Sequence, residues 1–204
     1  MVKTLRKSKE ESPSRIKILQ AAQLLMLRKG YTATTIDQIC EEAGITKGSF
    51  FHHFSSKEQL ATVVLDYYWT NLQGMIDETI FQKKDPLARI YNFLDFTIKI
   101  YQTPLFESSC LLGNLAQEIS ATNEELRQLC DSYLSRQVEI IKKQFDEAIE
   151  FHSASKNIDT HSLASSLVAV IQGSIILAKV GNNKSVISNN LEHYKKYIKM
   201  LFKK

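Results

Sequence analysis

Glycine and proline are scarce in this chain, 7 and 3 of 204 residues, so punctuation is sparse and long helices are expected. A composition of 44% hydrophobic and 24% charged residues excludes disorder as a global description. Cysteine is nearly as rare. Cys40, Cys110 and Cys130 form no close pair and are odd in number, which argues against a disulfide framework and for a reducing compartment. No apolar run approaches bilayer length by this reading, and the polar start MVKTLRKSKEES lacks a signal-peptide core, so the expectation is a cytoplasmic chain with no membrane partner. Equally missing are a phosphate-binding glycine loop, a metal-ligand set and a nucleophile paired with its base. The chain is therefore not expected to be an enzyme or to carry a cofactor or metal.

What charge there is sits at one end. Residues 1–60 hold ten Lys/Arg against six Asp/Glu, and residues 61–204 hold sixteen of each, so the whole net charge of +4 lies in the first 60 residues. A basic head on a neutral body suits a head that meets a polyanion; the alternative is a solvated tail, since Lys3, Arg6, Lys7 and Lys9 all precede Pro13.

Local signals divide that head into helices. Ser12 as cap and Pro13 in the first turn open a helix whose stripe of Ile16, Leu19, Ala22 or Gln23, and Met26 runs to a stop at Gly30. Thr35 with Gln38 forms a capping box for a short second helix closed by Gly44. Thr46 caps a third helix to about Phe54, and Ser55 with Glu58 forms a box for a fourth. The AGIT turn has Ala43 for close approach, Gly44 for positive φ and Ile45 to plug the core, as a helix-turn-helix requires.

The second helix of that pair carries the run TKGSFFHHF. Phe50 and Phe54, four apart, read as core; Gly48, Ser49 and His52 lie roughly opposite, flanked by Lys47, Phe51 and His53. Glycine there costs about 1 kcal/mol against alanine, which is explained either by a partner backbone coming close or by a tight start after Thr46. Adjacent His52 and His53 point about 100° apart and do not chelate one ion comfortably; donation to phosphate fits better.

The run GYTATTIDQICEEAGITKGSFFHHFSSKEQL, residues 30–60, resembles the DNA-binding domain of the TetR family of transcriptional regulators. The resemblance implies an all-α fold: a three-helix DNA-binding head at residues 12–57 and a larger helical body at 58–204 that binds an effector and dimerises. It implies DNA contacts from Thr34, Thr35 and Thr46, base-facing positions at Lys47, Gly48 and Ser49, and phosphate contacts from His53 and Lys57. Phe51 stands where the family usually has tyrosine, and His52 where an aromatic is common. Both differences read as tuning of sequence preference.

The body reads as helical throughout, with segments beginning near Ser56, Pro86 and Leu111, at a Thr122–Glu125 capping box, and near His161 and Asn190. The stretch SLVAVIQGSIILAKV offers a flat face of small residues, Ser165, Ala169 and Gly173. By resemblance the last two helices pair with their copies, implying a homodimer through Ser165, Ala169, Gly173, Leu177, Tyr194 and Ile198. An effector pocket of mixed aromatic and polar groups is placed at Tyr68, Trp69, Phe93, Phe96, Tyr101, Phe106, Cys110, Asn114 and Gln172; the same stripe also suits plain core. Cys110 falls at a helix start, where a dipole favours thiolate, with Lys179 a possible neighbour and an inert buried thiol the alternative. The function implied is a repressor that grips a palindromic double-stranded operator as a dimer and is released by a small-molecule effector, one reading of which is an electrophile acting on Cys110. A nonspecific DNA binder needs a more extended basic surface than this neutral body offers.

Overall fold

A computed structural model of the chain describes residues 12–80, 82–103, 109–152 and 157–203, the side chains of 77–79 excepted. Among them every regular element is a helix. Helix α1 (Pro13–Lys29) starts where the Ser12 hydroxyl accepts from Arg15 N, with Pro13 in its first turn, and stops at Gly30, whose φ of 86° suits glycine. Helix α2 (Ile36–Ala43) has both halves of its capping box: Thr35 Oγ1 accepts from Gln38 N, and Gln38 Oε1 accepts from Thr35 N at 3.1 Å. Gly44 ends it in the left-handed region at φ 63°. Helix α3 (Lys47–His53) is capped by Thr46, which accepts from Ser49 N at 3.2 Å. Phe50 and Phe54 are fully buried with Ile18, Leu19, Ala22 and Ile39, and that core runs on into the body.

The cap of α4 (Lys57–Thr79) lies one residue later than the sequence pattern places it. The Ser56 hydroxyl accepts from Gln59 N at 3.2 Å, and Gln59 Oε1 accepts the Ser55 N–H at 2.6 Å. Glu58 is drawn away instead, taking the Tyr31 hydroxyl hydrogen bond at 3.3 Å. Ser56→Ala should therefore cost about 1 kcal/mol, the usual worth of an N-cap, and Ser55→Ala clearly less. Urea denaturation of the two variants measures the difference; the reverse order would restore the Ser55 register.

The body continues with α5 (Pro86–Gln102), capped by Asp85, α6 (Leu111–Ile119) and α7 (Glu124–His152). The expected Thr122–Glu125 box at α7 does not form: Asn123 Oδ1 accepts from Leu126 N at 3.0 Å, and Thr122 donates back to Ile119 O. Asp159 caps α8 (Thr160–Val180), and α9 (Ser185–Leu201) begins before Asn190, where the pattern sets its start. Helix α7 packs on α5, α6 and α8, α8 on α9, and α1 on α2, α3, α4 and α6. By length and composition α8 is long and apolar enough to cross a bilayer, contrary to expectation. Its reason is tertiary: Leu163, Leu167, Ile171 and Ile175 are buried in the chain's own core, while the opposite side is left exposed.

Candidate functional site

The exposed side of the head is the first half of α3. Thr46, Lys47, Gly48, Phe51 and His52 are exposed, and Ser49 and His53 half-buried. Lys47 pairs with Asp37 at 2.6 Å, which raises its pKa, but both side chains are more than 60% exposed. Solvent screens a surface pair of this kind almost completely, so the ammonium is readily released to a phosphate or base. Phe51, 52% exposed, meets buried Phe50 edge-on at 5.3 Å, so its ring is held at the border of the patch. Thr35 is exposed at the start of α2.

Two residues placed on DNA by resemblance make contacts within the chain. Thr34 is fully buried and its Oγ1 donates to Gly30 O at 2.7 Å, tightening the turn between α1 and α2. Lys57 donates to Tyr31 O at 3.1 Å and Thr34 O at 3.0 Å, and its ammonium lies 4.3 Å from the Tyr31 ring centre. A lysine so engaged is a buckle between α4 and the head.

Tyr31 is where three helices meet. Its N–H and that of Thr32 donate to the Glu118 carboxylate on α6 at 3.1 and 2.8 Å. Its hydroxyl donates to Glu58 on α4, and burial, then the Glu58 charge, push that hydroxyl's pKa up to about 12. A side chain on Gly30 would strike the Glu118 carboxylate, so glycine serves there for space as well as for φ. Asn114, placed in the effector pocket by sequence, faces the head instead: its Nδ2 donates to Ser109 Oγ at 2.7 Å and reaches toward Met26 O and Leu27 O, the last carbonyls of α1.

Behind the head lies a cavity of about 30 Å³, lined among others by Tyr68, Phe93, Phe96, Tyr101, Cys110 and Gln172. Six of the nine residues assigned to an effector pocket thus come together. Trp69 does not line it, packing at a tilt against Tyr133 at 5.1 Å with Arg136 above its ring, and Phe106 lies outside the described residues. Cys110 is 6% exposed and stands at the N-cap of α6. Its Sγ receives Gln172 Nε2 at 3.5 Å and lies 4.0 Å from the Tyr68 hydroxyl. Burial, then Cys110, push the Tyr68 and Tyr101 hydroxyls up, so both remain protonated donors. Burial likewise pushes the Cys130 thiol up to about 11, leaving it a poor nucleophile. Lys179 is exposed on α8; the group on that helix that meets Cys110 is Gln172.

On the far side, α8 and α9 leave an apolar face. Ser165, Ala169 and Leu177 are exposed and Gly173 half-buried, alongside Ile176, Val180, Tyr197 and Met200, which sequence reasoning missed. Ile198 is fully buried in the chain's own core, and Tyr194 is held inside by its hydroxyl donating to Leu163 O at 2.7 Å. Helix α9 is apolar on adjacent faces, with Tyr194 and Ile198 turned inward and Tyr197 and Met200 outward.

A three-helix head with a nearly bare recognition helix, joined through shared hydrogen bonds to a helical body with an internal cavity, defines a helix-turn-helix regulator. Residues 18–64 match the family described as bacterial regulatory proteins, tetR family, and residues 86–194 the tetracyclin repressor-like C-terminal domain. The chain belongs to the TetR family and is a DNA-binding transcriptional regulator. It is similar to the HTH-type transcriptional regulator LmrA of Bacillus subtilis, 30% identical over 175 residues that cover 84% of this chain and 89% of LmrA. It is 23% identical to the HTH-type transcriptional repressor NemR of Escherichia coli over 92% of this chain and 95% of NemR. The reduced form of NemR matches the fold with a TM-score of 0.77 over 90% of this chain and 96% of that one. A TetR transcriptional regulator from Chloroflexus aurantiacus matches with a TM-score of 0.84 at 26% identity, covering 91% and 94% of the two chains.

Proposed function

We propose that this regulator is a repressor that binds a palindromic double-stranded operator as a homodimer and leaves it when a small effector acts on the body. The observation that carries the reading is α6: Cys110 at one end borders the internal cavity, and Glu118 at the other holds the backbone of the head's first turn. Helix α4 offers a second route, since Tyr68, Leu72 and Ile76 line the same cavity while Ser56 and Lys57 begin the helix at the head. An effector shifts the head only by favouring one arrangement over the other. The direct test is fluorescence anisotropy of the protein on DNA flanking its own gene, across a salt series, with scrambled DNA as control. Tight, sequence-dependent binding by two protomers per palindrome supports the reading; equal weak binding to both DNAs removes its main support.

Homodimerisation is assigned to the exposed α8 and α9 face, whose Ile176, Leu177, Val180, Tyr197 and Met200 form an apolar patch of the kind that marks an interface. Leu177→Arg should weaken the dimer by about tenfold or more, since one unpaired charge in an apolar interface costs well over 1.4 kcal/mol. Sedimentation velocity across a dilution series checks it; an unchanged dimer would place the interface elsewhere.

A second reading rests on Cys110, a thiol at a helix N-cap with a tyrosine hydroxyl and a glutamine amide directed at its sulfur. In it, an electrophile alkylates Cys110, and the added bulk, which a cavity of about 30 Å³ has no room for, displaces α6. The expected result is that N-ethylmaleimide releases the wild-type protein from DNA and leaves Cys110→Ser bound. Release of both proteins alike would end this reading while sparing the repressor itself.

A further inference from the structure

The space around Cys110 is not the only one behind the head. Between α1 and α4 lies a cleft of about 430 Å³ lined by Gln20, Gln23, Leu24, Leu27, Tyr67, Tyr68, Asn71, Leu72 and Met75. The Cys110 cavity, at about 30 Å³, has room for a water or two, whereas the cleft falls in the range of roughly 300–1,000 Å³ usual for small-molecule sites. Tyr68 and Leu72 line both spaces and so form the wall between them.

We propose that this cleft is a binding site for an uncharged, partly aromatic small molecule that offers one N–H or O–H donor. Three observations set the chemistry. The lining mixes leucine side chains, two tyrosine rings and a methionine with three amides, and none of its side chains is charged, so an ionised ligand would lose its hydration without gaining a counter-charge. Gln23 Oε1 is buried without a hydrogen-bond partner, one of two such side-chain atoms among the described residues. A buried acceptor left unpaired is a penalty in the empty protein that an arriving donor removes. Finally, Met75 stays 41% exposed at the cleft, an apolar rim of the sort that ligand entry uses.

The position gives such a ligand leverage. One wall is the first helix of the head and the other is the connector to the body, so occupancy acts directly on the spacing of α1 and α4, and through Tyr68 on the group that approaches Cys110. This leverage rests on the repressor reading; binding in the cleft does not, and the test therefore uses the full-length protein without DNA.

The probe is N-phenyl-1-naphthylamine, a neutral molecule with two aromatic groups joined by a single N–H, whose fluorescence rises in apolar surroundings. Saturable binding of one probe per chain is expected. Gln23→Leu, which keeps the volume and deletes the acceptor, should weaken it by about five- to tenfold, the worth of one neutral hydrogen bond. Leu24→Trp, which fills the cleft, should abolish it, and Phe151→Trp, an exposed position at the end of α7 outside both linings, should leave it unchanged. The 8-sulfonate of the same molecule, an anion, should bind at least about tenfold more weakly because its charge meets no partner. Absence of saturable binding, insensitivity to Gln23→Leu, equal binding of the sulfonate, or loss in Phe151→Trp alone would each overturn the proposal. Should Leu24→Trp fail to fold on a thermal melt, Gln23→Leu, a half-buried and nearly isosteric change, decides.

Discussion

Gly48→Leu is expected to leave the free protein as stable as before or slightly more so, and to lower specific operator affinity by at least about thirty-fold. The stability half follows from the space around the glycine. A Cβ built at Gly48 finds only Thr46 Oγ1, at 3.8 Å, an ordinary contact, and the backbone there is not in the left-handed region. Nothing inside the chain requires glycine, and a leucine in its place recovers most of the roughly 1 kcal/mol of helix propensity that glycine forfeits. The binding half follows from what lies outside. Gly48 is exposed between Lys47 and Ser49 on the first turn of α3, where a side chain would stand between the helix and a DNA groove. Losing one base-edge contact costs about 1–3 kcal/mol, and a two-fold complex loses it twice, which brings the range to about thirty-fold at the least. Thermal melting and anisotropy on the same preparation read the two halves separately. If affinity is unchanged while stability rises, the start of α3 does not approach DNA and the glycine is there only to begin a tight helix.

The head was legible because its determinants are local. Ser12, Thr35 and Thr46 accept from backbone N–H groups three residues on, and Gly44 closes α2 within its own turn. Periodicity likewise separates buried Phe50 and Phe54 from exposed Phe51 and His52, since helical angle alone decides it. Where two adjacent residues offer the same chemistry, pattern loses the register: Ser55 and Ser56 both have an acidic or amide partner three residues on, and Glu58 is shared with the Tyr31 hydroxyl, a partner no local rule supplies. Thr122 and Asn123 present the same ambiguity before α7.

The joint between head and body was illegible for a different reason. Glu118 lies 87 residues from Tyr31 and Asn114 about as far from Met26, and no spacing rule relates positions so distant. Lys57 shows how the same limit acts on a resemblance: its place in the motif implies phosphate, and the local fold gives its ammonium two backbone carbonyls and a tyrosine face. On α9, Tyr194 and Ile198 carry the same apolar signal as Tyr197 and Met200, and packing against α8 and α5 determines which pair turns inward. Gln23 reads in sequence as an alternative to Ala22 on the α1 stripe; that its carbonyl oxygen is buried and unpaired beside a cleft depends on where α4 passes.

Glu118→Ala is expected to lower stability by about 1–2 kcal/mol and, more tellingly, to disconnect Cys110 from the head. Hydrogen bonds to a charged group contribute about 1.5–3 kcal/mol each when shielded, and because this carboxylate is exposed, solvent screening discounts the pair to the stated sum. For a chain of this size that is a fall in melting temperature of about 2–8 °C. Amide exchange at Tyr31 and Thr32 should rise in the variant, because their acceptor is gone. The functional part separates two routes. Coupling between sites usually amounts to about 1–3 kcal/mol, a change of about 5- to 150-fold in DNA affinity on alkylating Cys110. If α6 carries that coupling, its firm tie to the head is Glu118, since Asn114 reaches the α1 carbonyls only at 3.4 and 3.5 Å, and the response should nearly vanish in Glu118→Ala. If α4 carries it, through Tyr68 above and the Lys57 buckle below, the variant loses stability and keeps its full response. The second outcome would move the relay to Lys57, where replacing the ammonium with Met, which keeps the stem and removes both carbonyl contacts, becomes the change that silences it.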